Sequence, residues 1–134
     1  MTYMLDTNIC IYVIKNKPKE VLRRFQENMD RGLCVSSITL AELQYGVEKS
    51  AKPEKNRMAL LQFLAFLEVL PFDDCAAVEY GRIRAYLHQA GTPIGTMDML
   101  IAAHAVASSL TVVTNNIREF ARVPGLRVEN WVSC

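Results

Sequence analysis

Tyr3-Met4-Leu5-Asp6-Thr7-Asn8-Ile9-Cys10-Ile11-Tyr12 is the stretch that decides the fold. A short apolar run stops at a carboxylate, two small polar residues follow, and Ile9, Ile11 and Tyr12 then recur at helical spacing. An apolar run of that length bounded by turn chemistry reads as a buried strand over 3–5, and the residues after it as a helix from 8 to about 15. Asp6 therefore falls at the carboxyl end of a strand, where open α/β sheets keep their ligands. An acid between a buried strand and an apolar helix is costly to desolvate unless it is paired or bound to a metal.

The same alternation continues outward. Lys17-Pro18-Lys19-Glu20 reads as a turn with Pro18 near the first helical position, and Val21, Leu22, Phe25 and Met29 as one apolar helix stripe ending at Arg31-Gly32. A strand is expected over 33–35. The next helix starts at Ser36-Ser37, packs Ile38, Leu43 and Val47, and uses Gly46 for close approach. After the charged loop 48–53, Leu60, Leu61, Leu64 and Leu67 mark a fourth helix. A third strand is expected over 69–72, then a helix capped by Asp73 or Asp74 and stopped by Gly91-Thr92-Pro93. Thr96 is read as the cap of a helix over 97–108, apolar on every side and so buried throughout. The β-branched run 110–114 is the clearest strand, Asn115-Asn116 turns it into a short helix, and a last strand is expected around Val128. Short strands alternating with helices imply a three-layer α/β/α sandwich on a mainly parallel sheet.

A chain of 134 residues, 51% apolar and 22% charged, reads as one ordinary globular domain spanning 1–134, which excludes disorder and coiled coil. With 15 basic against 14 acidic residues the net charge is +1, so any nucleic-acid face must be local. Cys10, Cys34, Cys75 and Cys134 are too scattered for a zinc site or a redox pair. The first three are read as small buried hydrophobes and Cys134 as a free thiol. Without a leader pattern or an apolar run of the roughly 18 residues a membrane span needs, the expected location is cytoplasmic, away from membranes.

Asp6, Glu42 and Asp98 share one address: each follows a strand or opens a helix. Asn116 follows the 110–114 strand in the same way. On a parallel sheet all four side chains collect at one edge. Each has a blander reading. Thr39-x-x-Glu42 and Asn116-x-x-Glu119 both fit capping boxes, and Asp98 suits the positive end of its helix. His104, six residues beyond Asp98, reads as a satisfied core histidine. Carboxylates gathered within a few ångströms repel one another, and a hard divalent cation, Mg²⁺ or Mn²⁺, is the natural way to keep them ionised together. Such a cation is held by one or two carboxylates plus substrate phosphate, so the expected reaction is phosphodiester hydrolysis by activated water.

The blocks MLDTNICIY (4–12), SSITLAELQYG (36–46), PIGTMDMLIAAHA (93–105) and VVTNNIREF (112–120) resemble, in order and over nearly the whole chain, the PIN-domain ribonucleases, specifically the VapC-type toxins of bacterial toxin–antitoxin pairs. The resemblance implies an acidic pocket that binds Mg²⁺ or Mn²⁺ and cleaves RNA. It implies Asp6, Glu42 and Asp98 as the core acids, which are the catalytic and metal-binding set. Thr7 and Asn8 match the polar residues that shape the first loop, and Thr114 the threonine of the last block. Many relatives carry a fourth acid where this chain has Asn116. An amide is only a neutral ligand, so one metal is expected to be held firmly and a second to arrive with substrate, with Glu119 available for the missing charge.

The resemblance further implies a tRNA substrate, with initiator tRNA as a candidate, and a VapB-type antitoxin whose carboxyl-terminal segment lies in a groove around the helices between Leu40 and Leu67. It implies a homodimer inside a toxin–antitoxin hetero-oligomer, with operator DNA reached only through the antitoxin. Lys15, Lys17 and Lys19, with Arg23 and Arg24, form the densest basic run for RNA, and Lys49, Lys52, Lys55 and Arg57 the next. Two other readings compete: a catalytically weak PIN module that only assembles with its partner, and a phosphatase with Asp6 as nucleophile. The three acids oppose the first, and the lack of a second Asp two residues after Asp6 opposes the second.

Overall fold

The computed structural model describes residues 2–132 and shows five strands alternating with seven helices. In chain order these are β1 (Tyr3–Leu5), α1 (Thr7–Lys15), α2 (Lys19–Glu27), β2 (Leu33–Ser36), α3 (Ser37–Lys49), α4 (Pro53–Leu64), β3 (Glu68–Leu70), α5 (Asp74–Ala90), α6 (Thr96–Ala107), β4 (Thr111–Val113), α7 (Ile117–Phe120) and β5 (Arg127–Glu129). The sheet order is β3-β2-β1-β4-β5 and every pairing is parallel. The chain therefore builds outward from β1 in one direction, returns, and builds outward in the other. The reversal falls between β1 and β4, which makes their carboxyl ends the switch point of the sheet.

Alternation along the strands sorts the core into two halves. Tyr3 and Leu5, with Leu33, Val35 and Val113, face α1 to α4, whereas Met4, Cys34 and Val112 face α5 and α6. That period of two on short, fully buried strands produces the expected three layers. Beyond β5, Trp131 is fully buried edge-on against Tyr3 (5.5 Å between ring centres) and closes the first half.

Several local expectations are corrected. Pro18 precedes α2 as its cap, and α2 ends at Glu27 with a single 3₁₀ turn following at Met29–Arg31. Gly95, not Thr96, occupies the cap position of α6, and the first turn of that helix is open to solvent at Met97. Leu61 faces outward because α4 buries only one stripe, Leu60 and Phe63. β3 stops at Leu70, before Pro71, which has no amide to continue a ladder. Cys10 and Cys34 are buried, but Cys75 points to solvent from the first turn of α5; Cys134 lies outside the described residues. At Gly46 a Cβ would meet nothing within 4 Å, so this glycine borders open space and permits no close approach. Among the described residues no helix is long and apolar enough to cross a membrane.

Candidate active site

Asp6 leaves β1 as the cap of α1. Its amide donates to the Val113 carbonyl of β4 (3.0 Å), which brings the ends of the two strands together. Its Oδ1 accepts the Ile9 amide (3.0 Å), and its Oδ2 accepts the Thr114 hydroxyl (2.5 Å). The Thr114 hydroxyl itself accepts the Asn116 amide (2.9 Å), so its one proton is directed to Asp6. Only 4% of Asp6 is exposed. Burial pushes its carboxyl up to about 6, with repulsion from Asp98 and Glu42 adding to the rise and the Thr114 and Ile9 hydrogen bonds opposing it.

Glu42 lies on α3, one and a half turns from its start. The cap of that helix is Ser36, whose hydroxyl accepts the Ile38 amide (3.1 Å), so the capping box between Thr39 and Glu42 does not form. Thr39 is inside the helix, with its buried hydroxyl unpartnered among the described residues. Glu42 instead accepts the Thr7 hydroxyl at 2.5 Å, joining α3 to α1. Thr7 thus shapes the site through Glu42, from within a helix. Asn8 is exposed and makes no side-chain hydrogen bond among the described residues.

Asp98, in the first turn of α6, accepts the Asn116 amide side chain at 3.2 Å. The second capping box therefore fails as well: Asn116 precedes α7, but its side chain reaches across to α6. Burial raises the Asp98 carboxyl above its ordinary value, repulsion from Glu119 and then Glu42 adds to this, and the Asn116 bond opposes it. Glu119 is thus close enough to be felt by Asp98.

Four acids, Asp6, Glu42, Asp98 and Glu119, consequently stand along the carboxyl edge of the sheet, near enough for Asp98 and Glu42 to repel Asp6 and for Glu119 and Glu42 to repel Asp98. Among the described residues, none of them is paired with a lysine or arginine. Nor, among those residues, do any three His, Cys, Asp or Glu side chains stand close enough to grip an ion unaided. Unpaired carboxylates suit a hard cation whose shell water and substrate oxygens help to complete. Each carboxylate oxygen has two acceptor sites, so the bonds from Thr114, Thr7 and Asn116 orient the acids without exhausting them.

His104 is buried with its Nδ1 2.8 Å from the Ser36 hydroxyl, a satisfied core histidine that ties α6 to the start of α3. The basic run separates into engaged and open members. Arg23 is paired with Glu20 and Glu27, Arg24 with Glu129, and Arg57 with Glu48 and Glu54. Lys15 borders a cavity of about 370 Å³ that Glu42 also lines, and Lys17 and Lys19 are exposed at the turn beyond it. An apolar groove of about 450 Å³ runs between α1, α2 and α4, past Ile14, Leu22, Phe25, Phe63 and Phe66. It lies further toward α2 than the helices between Leu40 and Leu67 alone would place it.

Tyr45 and Met97, which the sequence reading did not single out, line a cavity with Glu42 and with Lys49 of the second basic run. The available signal was spacing: residues 42, 45, 46 and 49 fall on one face of a helix.

A parallel α/β sandwich with unpaired acids at its switch point defines a class of metal-binding hydrolytic sites. The family profile described as PIN domain matches residues 3–126. The tRNA(fMet)-specific endonuclease VapC of Salmonella typhimurium is 53% identical over 131 residues, covering 98% of each chain. Ribonuclease VapC2 of Haemophilus influenzae is 52% identical over 132 residues, covering 98% of this chain and 99% of its own. The crystal structure of VapBC2 from Rickettsia felis bound to a DNA fragment from its promoter contains a chain of TM-score 0.93 and 47% identity, covering 98% of this chain and all of that one. The chain belongs to the PIN-domain family and, within it, to the VapC ribonucleases.

Proposed function

We propose that the chain is the toxin of a type II toxin–antitoxin pair: a metal-dependent endoribonuclease that hydrolyses phosphodiester bonds in RNA and is neutralised by a VapB-type antitoxin. The observation that carries this reading is the set of four acids with no basic partner among the described residues, three of them held by neutral donors. Asp6 and Asp98, with Glu42, are the residues that would hold the cation, and Mg²⁺ or Mn²⁺ suits their all-oxygen donor set. When bound, such an ion polarises phosphoryl oxygens and makes water acidic enough to act as a nucleophile near neutral pH. Thr114 and Thr7 hold Asp6 and Glu42 in acceptor geometry, Asn116 does the same for Asp98, and Glu119 adds charge for a second, substrate-borne cation.

The RNA is tRNA in this reading, with initiator tRNA first, in line with the name of the Salmonella relative. Lys15, Lys17 and Lys19 are its phosphate contacts. The groove between α1, α2 and α4 has the shape and apolar lining for an antitoxin segment. A guanidinium brought by that segment to the acids would displace the cation by charge as well as by bulk. The toxin acts in the cytoplasm as a homodimer within a hetero-oligomer, and DNA is contacted through the antitoxin.

The test is cleavage of total tRNA with Mg²⁺ and with chelator, by the unmodified chain and by Asp6→Asn and Asp98→Asn. Cutting is expected only from the unmodified chain with Mg²⁺, and equal cutting in all arms would refute the proposal.

A further inference from the structure

Beside the acids lies a second feature that orienting a phosphate does not require. A cavity of about 530 Å³ opens next to them, and Thr7 and Glu42 belong both to it and to the acidic site. Its walls are Tyr45 and Met97, which are 65% and 47% exposed, among the largest apolar side chains left in solvent. Gly46 and Ile11 also border it, and a Cβ at Gly46 would meet nothing within 4 Å. Lys49, one turn beyond Tyr45, places its ammonium 5.1 Å from the tyrosine ring centre. The cavity is thus apolar and aromatic on its walls, cationic at its rim, and continuous with the carboxylates.

We infer that this cavity receives an unpaired base of the RNA, that of a nucleotide flanking the cleaved phosphate, with Tyr45 as its stacking surface and Lys49 contacting the adjoining phosphate. The inference rests on the nuclease reading and names the substrate feature which that site would select. Three observations single out this occupant. A phosphate drawn to the acids through a cation would be bonded to a nucleotide on either side, and the cavity begins at Glu42, one of those acids. Aromatic faces with a neighbouring cation are how proteins hold unstacked bases, whereas a paired base has no face to offer. A guanidinium-bearing antitoxin segment is drawn to the carboxylates themselves, whereas Lys49 beside Tyr45 calls for an anionic group next to the aromatic face. The consequence is selection for a cleavage site in a loop rather than in a stem.

The experiment maps the cut made by the unmodified chain in tRNA with Mg²⁺. An RNA hairpin carrying that site is then made intact, and with the base deleted from each flanking nucleotide in turn. Deleting one particular flanking base is expected to slow cleavage on the order of ten- to a hundred-fold, the worth of one base–aromatic stack. Tyr45→Ala should slow cleavage of the intact hairpin by a similar factor and be nearly indifferent to loss of that base. Tyr45→Phe should behave as the unmodified chain. Gly46→Leu, which fills the cavity from a helix position with open space, should reproduce Tyr45→Ala, while Gly46→Ala should not. Independent, multiplying effects of Tyr45→Ala and base deletion would overturn the inference, as would full activity in Gly46→Leu. An equal loss on every hairpin together with a fall in particle mass would overturn it in favour of a contact between copies of the chain. An unmodified chain that cuts no RNA would overturn the nuclease reading as well, whereas cutting that ignores Tyr45 overturns the base pocket alone.

Discussion

Thr114 shows how much of the site depends on single hydroxyls. It receives the Asn116 amide and gives its only proton to Asp6, so Thr114→Val leaves a buried carboxylate oxygen without its donor. Cleavage and Mg²⁺ affinity are expected to fall about 10- to 100-fold, with Thr114→Ser keeping most of both; a metal titration of the two variants checks this. Asp6 makes a prediction of opposite character. The folded chain holds its proton up to about 6, above the ordinary 3.8. Without metal, its contribution to stability is therefore fully present below the ordinary aspartate range and is lost as pH rises through 6. The size is on the order of 2–3 kcal/mol, and urea melts in chelator across that range should show the decline in the unmodified chain but not in Asp6→Asn. Cation binding runs the other way, since it needs the ionised form, so cleavage should weaken as pH drops below 6. Thr39 carries no role at the acids, and its hydroxyl is buried without a partner among the described residues. Thr39→Val is expected to raise stability by about 1 kcal/mol in thermal melts and to leave cleavage unchanged.

At the scale of elements, the acids are placed by helix starts. α1 is capped by Asp6, α6 by Gly95, three residues before Asp98, and α3 by Ser36, six residues before Glu42. Ser36 is the joint among them, because its hydroxyl caps α3 while His104 of α6 contacts it from the other side. Ser36→Ala removes the cap and leaves a buried imidazole nitrogen unpaired, and a loss of about 1–2 kcal/mol is expected in denaturant melts. If Thr39 were the cap instead, the melt of Ser36→Ala would be unchanged. Motif spacing could not separate these alternatives. Ser36, Ser37 and Thr39 are all acceptable caps, and the choice was made by which hydroxyl met His104 and which was turned into the core. The same held at Asn116, which satisfied a capping box on paper and bonds Asp98 in the fold.

For the whole molecule, the strand order is what converts a list of acids into a site. Residues 6 and 114 are 108 positions apart and within hydrogen-bond reach, because β1 and β4 are neighbours at the switch point. The carboxyl-terminal strand is fastened by Arg24, which pairs with Glu129 at 2.6 Å and lies 5.8 Å from the Trp131 ring. Trp131→Ala should cost about 3–5 kcal/mol by unfolding measurements, because it empties a fully buried site against Tyr3 and so loosens β1 itself. Much of this was legible beforehand. Buried β-branched runs and amphipathic stripes have periods that separate strand from helix, so the elements and their alternation followed from the residues, and four motif blocks pointed to the acids proposed for the site. Tertiary structure decided which side chains close the distance between those elements: Thr7 on Glu42, Thr114 on Asp6, Asn116 and Glu119 about Asp98, and open space at Gly46 where close packing was expected. The physical reason is range. Hydrophobic periodicity and capping act over a few residues and are written locally, whereas hydrogen bonds, repulsion and cavities arise between residues that only the packed sheet brings together.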